Sequence, residues 1–259
     1  MDDPNAMSKT LCREDGATIA YYQIPGKQWN SSPGVVFLSG FKSDMTGLKA
    51  MAVETLCKRL GHPFLRFDYF GHGQSSGKFE DGTIGRWTED AIFVIDELTD
   101  GPQVLVGSSM GGWIMLLVAL ARPERIAGLV GLAAAPDFTE DLIPAALSTE
   151  QMETLARDGE VVIPNCYDEE PYLIRKEFLE EAREHLVLRN SISIPAPIRL
   201  IHGMQDNDVP WRTGLKIAEK MDSDDIEMIY VKTGDHRLSG DQDIKRLKRT
   251  LSSLLEDLS

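Results

Sequence analysis

Residues 103–121, QVLVGSSMGGWIMLLVALA, constrain the fold of this chain more than any other stretch. They read as a short apolar strand, a sharp turn and a buried helix. The turn holds Gly107-Ser108-Ser109-Met110-Gly111, a match to G-x-S-x-G. That pattern marks a nucleophile elbow, in which a serine on a strained strand-to-helix turn lifts its hydroxyl above the end of a sheet. Only Ser109 has a glycine two residues away on both sides. The helix that follows would turn unpaired N–H groups and the positive end of its dipole toward the serine. The plainer alternative is a Gly-Ser turn that packs a helix on a sheet, so the remainder of the site must be found elsewhere in the chain.

An elbow requires a sheet, and the chain supplies its pattern. Residues 8–13 and 18–23 flank a Glu14-Asp15-Gly16 turn and read as a hairpin. Residues 25–34, rich in Pro, Gly, Ser and Asn, read as a loop. Strands are then expected at 34–38, 63–67, 103–106, 125–133, 197–202 and 227–231. Helices are expected at 45–60, ending at Gly61, and at 85–98, 211–221 and 244–258. Alternating strands and helices imply crossover connections and a mainly parallel sheet flanked by helices, with the hairpin antiparallel at one edge. The alternation fails over 137–193, an acidic region with helical stretches such as 177–188. It is expected to be a helical cap inserted over the carboxyl ends of the strands, with residues 1–136 and 194–259 forming the core. A chain of 259 residues accommodates this as one α/β unit.

Charge and cysteine usage exclude other classes. A formal net charge of −14 argues against nucleic acid or an anionic membrane as the main partner. The uncharged helix after the elbow is too short to span a bilayer, so no integral membrane segment is expected. Cys12, Cys57 and Cys166 form no paired spacing, which suits reduced thiols in an intracellular, cytoplasmic protein. The leading MDDPNAMSK lacks the layout of a signal or transit peptide. No clustered metal ligands appear in the sequence.

A serine hydroxyl needs a base, and the base needs a group to orient it and support its charge. In elbow folds these follow the serine in the order acid, then histidine. His62 and His72 precede Ser109, His185 falls in the presumed cap, and His202 ends a strand, where packing is expected to occupy it. His236, between the last strand and the last helix, is the expected general base. The acid should follow the strand at 197–202. Asp206 is the candidate, Asp208 its neighbour beside the next helix, and Asp137 the reserve; Asp68 is expected to brace its own turn. The Met110 N–H, next after the nucleophile, and the N–H of Phe41, after the 34–38 strand, are the expected oxyanion donors. Trp113 and Trp211, with Phe41 and Met110, are candidate walls of an apolar acyl pocket, and Arg237 is a candidate partner for an acidic leaving group. This chemistry requires no metal or cofactor.

These residues resemble the α/β-hydrolase superfamily. More specific blocks, RFDY from Arg66, DGPQVLVGSSMGGWIML from Asp100, ARPE from Ala121, PIRLIHGMQDNDVPW from Pro197 and Asp235-His236-Arg237, are similar to the family of α/β-hydrolase-domain-containing protein 10. The resemblance implies a serine hydrolase of acyl thioesters and esters, associated with removing palmitoyl groups from protein cysteines and with hydrolysing acyl glucuronides. It also implies a mitochondrial location if this is a processed animal form. The cap matches least. Two rival readings are a general carboxylesterase for small esters and a non-catalytic protein that uses the pocket to hold a ligand.

Overall fold

The computed structural model describes residues 8–25, 32–163 and 171–258. The leading heptapeptide, most of the expected loop at 25–34, and Cys166 lie outside the described residues. Cys12 is an exposed free thiol and Cys57 a buried one, with burial pushing its pKa up to about 12.

The described elements run β1 (Lys9–Cys12), β2 (Thr18–Ile24), β3 (Gly34–Leu38), α1 (Leu48–Leu60), β4 (Phe64–Phe67), α2 (Ile84–Leu98), β5 (Gln103–Ser108), α3 (Met110–Ala121) and β6 (Ile126–Leu132). Then come α4 (Phe138–Asp141), α5 (Ile143–Ala146), α6 (Thr149–Asp158), β7 (Glu160–Ile163), β8 (Tyr172–Arg175) and α7 (Lys176–Ala182). The chain closes with β9 (Ile198–Gly203), α8 (Arg212–Lys220), β10 (Ile226–Val231) and α9 (Asp241–Asp257). Eight strands form one sheet in the order β1-β2-β4-β3-β5-β6-β9-β10. The strands from β4 to β10 pair in parallel, and the β1–β2 hairpin joins β4 antiparallel at the edge.

Helices on both faces explain the continuous apolar strand sequences. Every residue of β3 and β5 is buried. Val35 and Phe37 face a core shared with Val53 and Leu56 of α1 and Leu247, Leu251 and Leu254 of α9. Val36 and Leu38 face the other core, with Trp87 and Val94 of α2 and Ile114 and Val118 of α3. Gly61 ends α1 in the left-handed conformation (φ +85°), the C-cap its sequence suggests.

The 137–193 region departs from its sequence reading. Among the described residues it holds short helices and a two-stranded antiparallel sheet, β7 with β8, where only helices were expected. The expected helix at 177–188 is α7 followed by a 3-10 turn at Arg183–His185. Asp137 closes the base of this region. Its side chain is fully buried, and its carboxylate accepts from the Val187 N–H at 2.8 Å and the Leu188 N–H at 3.0 Å. Burial raises its pKa, opposed by those two N–H groups. The reserve acid is thus spent on joining the start of the region to its end. Asp137→Ala leaves two N–H groups without a partner and is expected to cost about 2–5 kcal/mol, read from the urea midpoint. A loss below about 1 kcal/mol would show that the carboxylate does not secure the region.

Candidate active site

Parallel strands put their carboxyl ends on one edge, and every catalytic candidate follows such an end. Phe41 follows β3, Ser109 follows β5, Asp206 follows β9 and His236 follows β10.

The glycines of the elbow are required by close approach. A Cβ on Gly107 would collide with the Gly111 backbone, and one on Gly111 with the carbonyls of Leu38 and Ser39. Ser109 occupies φ +55°, ψ −120°, a strained conformation for a residue with a side chain, held by its N–H to Leu132 O and by the Gly112 and Ala135 N–H groups on its carbonyl. The turn aims the hydroxyl at the loop after β10. Ser109 Oγ lies 3.0 Å from His236 Nε2, and His236 Nδ1 lies 2.8 Å from Asp206 Oδ2. The Asp206 side chain is fully buried. Its other oxygen accepts from the backbone N–H groups of Asp208 (2.9 Å) and Val209 (2.8 Å). Burial opposes the Asp206 charge, but hydrogen bonds from His202, His236 and Val209 outweigh it and hold the carboxyl well below the usual carboxylate range.

Met110 begins α3, at a position whose N–H has no intrahelical acceptor. A Cβ on Gly40 would lie 3.4 Å from the Ser109 Cβ, so the loop carrying Phe41 passes directly beside the serine. That loop is clamped at its far end. The Met45 N–H donates to Asp68 Oδ1 at 2.7 Å, and Arg66 donates to the Met45 carbonyl at 3.1 Å. Burial pushes the Asp68 pKa up to about 6, against hydrogen bonds from the Gln74 and Met45 N–H groups. The Phe41 ring packs among Phe79, Trp87, Phe138, Tyr172 and Phe178, with centroids 4.8–6.0 Å away.

A cavity of about 600 Å³ opens beside Ser109 and His236. Phe41, Met110, Phe138, Ile143, Tyr172 and Ile174 give it apolar walls, and Lys42, Lys49 and Arg237 bring positive charge. Lys49 donates to the Arg237 carbonyl at 2.6 Å, and burial lowers its pKa to about 8. Two sequence expectations are corrected here. Trp113 is fully buried outside this cavity, its Nε1 donating to the His185 carbonyl at 3.0 Å. Trp211 packs on Tyr230 (5.1 Å between centroids) beneath the Arg212 guanidinium, also outside the cavity. The bare sequence could not aim either ring, since α3 is apolar on every face and Trp211 sits at a helix start.

His202 carries a partner that sequence reasoning missed. Its Nε2 lies 3.1 Å from Asp206 Oδ2 and 3.0 Å from Val209 O. The signal was the four-residue spacing in His202-Gly203-Met204-Gln205-Asp206, which the turn folds back on itself. Among the described residues, Asp206, Asp208 and His236 form a group with metal-type spacing, their ligand atoms all within 4.8 Å. Asp206 and His236 already engage each other and Ser109, so this donor set gives no independent support for an ion. No helix of the described residues is long and apolar enough to cross a membrane.

The sheet order and the serine elbow define an α/β hydrolase, and comparison with known proteins agrees. The model of the alpha/beta hydrolase fold family matches residues 48–162. The mitochondrial palmitoyl-protein thioesterase ABHD10 of Homo sapiens is 42% identical over 250 residues, covering 96% of this chain and 80% of that protein. The structure of α/β-hydrolase domain-containing protein 10 from mouse superposes with a TM-score of 0.90 at 40% identity, covering 98% of this chain and 100% of that one. A putative hydrolase from Agrobacterium vitis S4 gives 0.91 at 37% identity, over 96% of this chain and 98% of that one. The chain belongs to the ABHD10 family of α/β hydrolases and is a hydrolase.

Proposed function

We propose that the chain cleaves acyl thioesters and esters by acyl transfer through Ser109, His236 and Asp206. The observation that carries this reading is the continuous relay from Ser109 Oγ to His236 Nε2 at 3.0 Å and from His236 Nδ1 to Asp206 Oδ2 at 2.8 Å. His236 takes the hydroxyl proton as Ser109 attacks the acyl carbonyl, and Asp206 supports the imidazolium that forms. The N–H groups of Met110 and Phe41 hold the oxyanion. The thiol or alcohol leaves with the proton from His236. Water, activated by the same imidazole, then clears the acyl-enzyme.

The cavity and the relatives' name support this substrate class. Apolar walls beside Ser109 suit a long acyl chain, and the ABHD10 relatives are named palmitoyl-protein thioesterases. Residues 137–193 act as the cap, since Phe138, Ile143, Tyr172 and Ile174 of that region face the same cavity as the serine. Arg237, Lys42 and Lys49 would receive an acidic leaving group such as a glucuronate. The mitochondrial relatives favour the same compartment for this chain.

The test is hydrolysis of matched acyl thioesters and oxygen esters, from about two to sixteen carbons, by the wild type and Ser109→Ala. Serine-dependent turnover that favours long thioesters is the expected result. Turnover of short esters alone would make this a general carboxylesterase. No turnover, with tight ligand retention, would make it a binding protein.

A further inference from the structure

We propose that His202 is a positioning residue of the catalytic relay, joined to His236 through a shared oxygen of Asp206, and that it sets the pH at which His236 becomes an active base. The inference rests on the Ser109–His236–Asp206 reading.

The hydrogen count carries it. His202 lies on β9, 3% exposed, with Nε2 between Asp206 Oδ2 at 3.1 Å and the Val209 carbonyl at 3.0 Å. Both are acceptors, so Nε2 must bear a hydrogen and divide it between them. His236 Nδ1 donates to the same Oδ2 at 2.8 Å. Oδ1 accepts the Asp208 and Val209 N–H groups. All four acceptor positions of a carboxylate are then filled: two by imidazoles on one oxygen, two by the backbone on the other. Two donors on one oxygen compete for its charge. The N–H of His202 therefore makes Asp206 a weaker acceptor for His236 and limits how far it stabilises the imidazolium.

The surroundings leave few other groups to set this balance. Asp208, from the same loop, offers a carboxylate oxygen within 4.8 Å of the Asp206 and His236 ligand atoms. Lys49 of α1, Arg237 and Asp44 line the cavity on the side of His236. Asp235 precedes it in the chain. On the far side of His202, Gly214 of α8 lies close to both its Nδ1 and the Tyr230 hydroxyl; a Cβ there would lie 3.8 Å from one and 3.7 Å from the other. A substitution at His202 leaves each of these side chains in the sequence, and the contrast between Leu and Gln isolates the N–H on the shared oxygen.

The experiment is the pH dependence of kcat/KM for wild type, His202→Leu and His202→Gln, using a thioester substrate and concentrations set by fluorophosphonate titration of the active serine. With Leu the donor is gone, Asp206 becomes more basic toward His236, and the midpoint of the acid limb rises by about one pH unit. Gln restores an N–H near the place of Nε2 and returns the midpoint toward that of the wild type. The low-field proton resonance of His236 Nδ1 moves downfield with Leu and back with Gln. Should the Leu variant fail to fold, His202→Asn, whose amide is too short to reach Asp206, takes its place with the same expected shift. A purely structural role would lower the titrated fraction at every pH and leave the midpoint in place. Serine-dependent turnover with an unmoved midpoint, or equal shifts for Leu and Gln, overturns the proposal. Turnover that survives Ser109→Ala overturns the relay reading and this inference with it.

Discussion

Ser109→Ala is expected to reduce thioester hydrolysis by about 10⁵-fold and to abolish covalent labelling by a fluorophosphonate. The expected size follows from what the substitution leaves behind. The cavity, the Met110 N–H and the Phe41 loop all remain, so the proposed substrate binding and oxyanion stabilisation would persist, while the proposed carrier of the acyl group is gone. The conformation also isolates the cause. An alanine in place of Ser109 would inherit the same φ of +55° with the same small Cβ, so the backbone strain of the turn is unchanged and folding should be too. Labelling that persisted on Ser108 would sink the assignment. Ser108 is the last residue of β5, paired with Leu132 and 7% exposed, and the relay does not reach it.

Asp206→Asn should lower kcat/KM by about 10⁴-fold, while Asp208→Asn should lower it less than about tenfold. An amide presents one oxygen and one NH₂ group. Asp206 faces imidazole donors with Oδ2 and backbone donors with Oδ1, so either orientation of Asn sets NH₂ against N–H. With the NH₂ toward His236, that ring must turn or adopt the tautomer whose Nε2 bears the hydrogen and cannot take one from Ser109. Asp208 contributes its backbone N–H to Asp206, which the Asn substitution keeps, and its exposed side chain is absent from the relay. The N-cap position of α8 is Trp211. Steady-state kinetics on one thioester compares the two variants. Equal losses would sink the choice of Asp206.

The parts of the molecule legible in the sequence are those that burial on two faces imposes. VVF in β3 and VLVG in β5 had to be apolar throughout because helices cover both sides of the sheet. The glycines flanking Ser109 were visible because close backbone approach admits no other residue. The order Ser109, Asp206, His236 was readable because each lies just past a recognisable strand. The region from 137 to 193 was not readable in the same way. Its short helices and the β7–β8 pair are half-exposed, so neither period is sustained long enough to register. Directions of single side chains were illegible as well. Trp113, apolar on an apolar helix, carried no mark of which face would meet the cavity. His202 looked like packing because its partner lies across a turn, in contact only after Asp206 folds back under the strand end.

The ring of Phe41 bears on how relatives of this protein can diverge. Asp137 at the start of the 137–193 region bonds Val187 and Leu188 near its end, which on its own would make the described residues between them an exchangeable cassette. Yet of the aromatic neighbours that hold Phe41, Phe79 and Trp87 belong to the core, while Phe138, Tyr172 and Phe178 belong to the cassette. A lineage that rewrites this region to admit a new substrate also rewrites the packing around its proposed oxyanion donor. Substrate range and turnover should therefore drift together in this family, and a transplanted cap should need compensating changes at Phe79 or Trp87 before it regains speed.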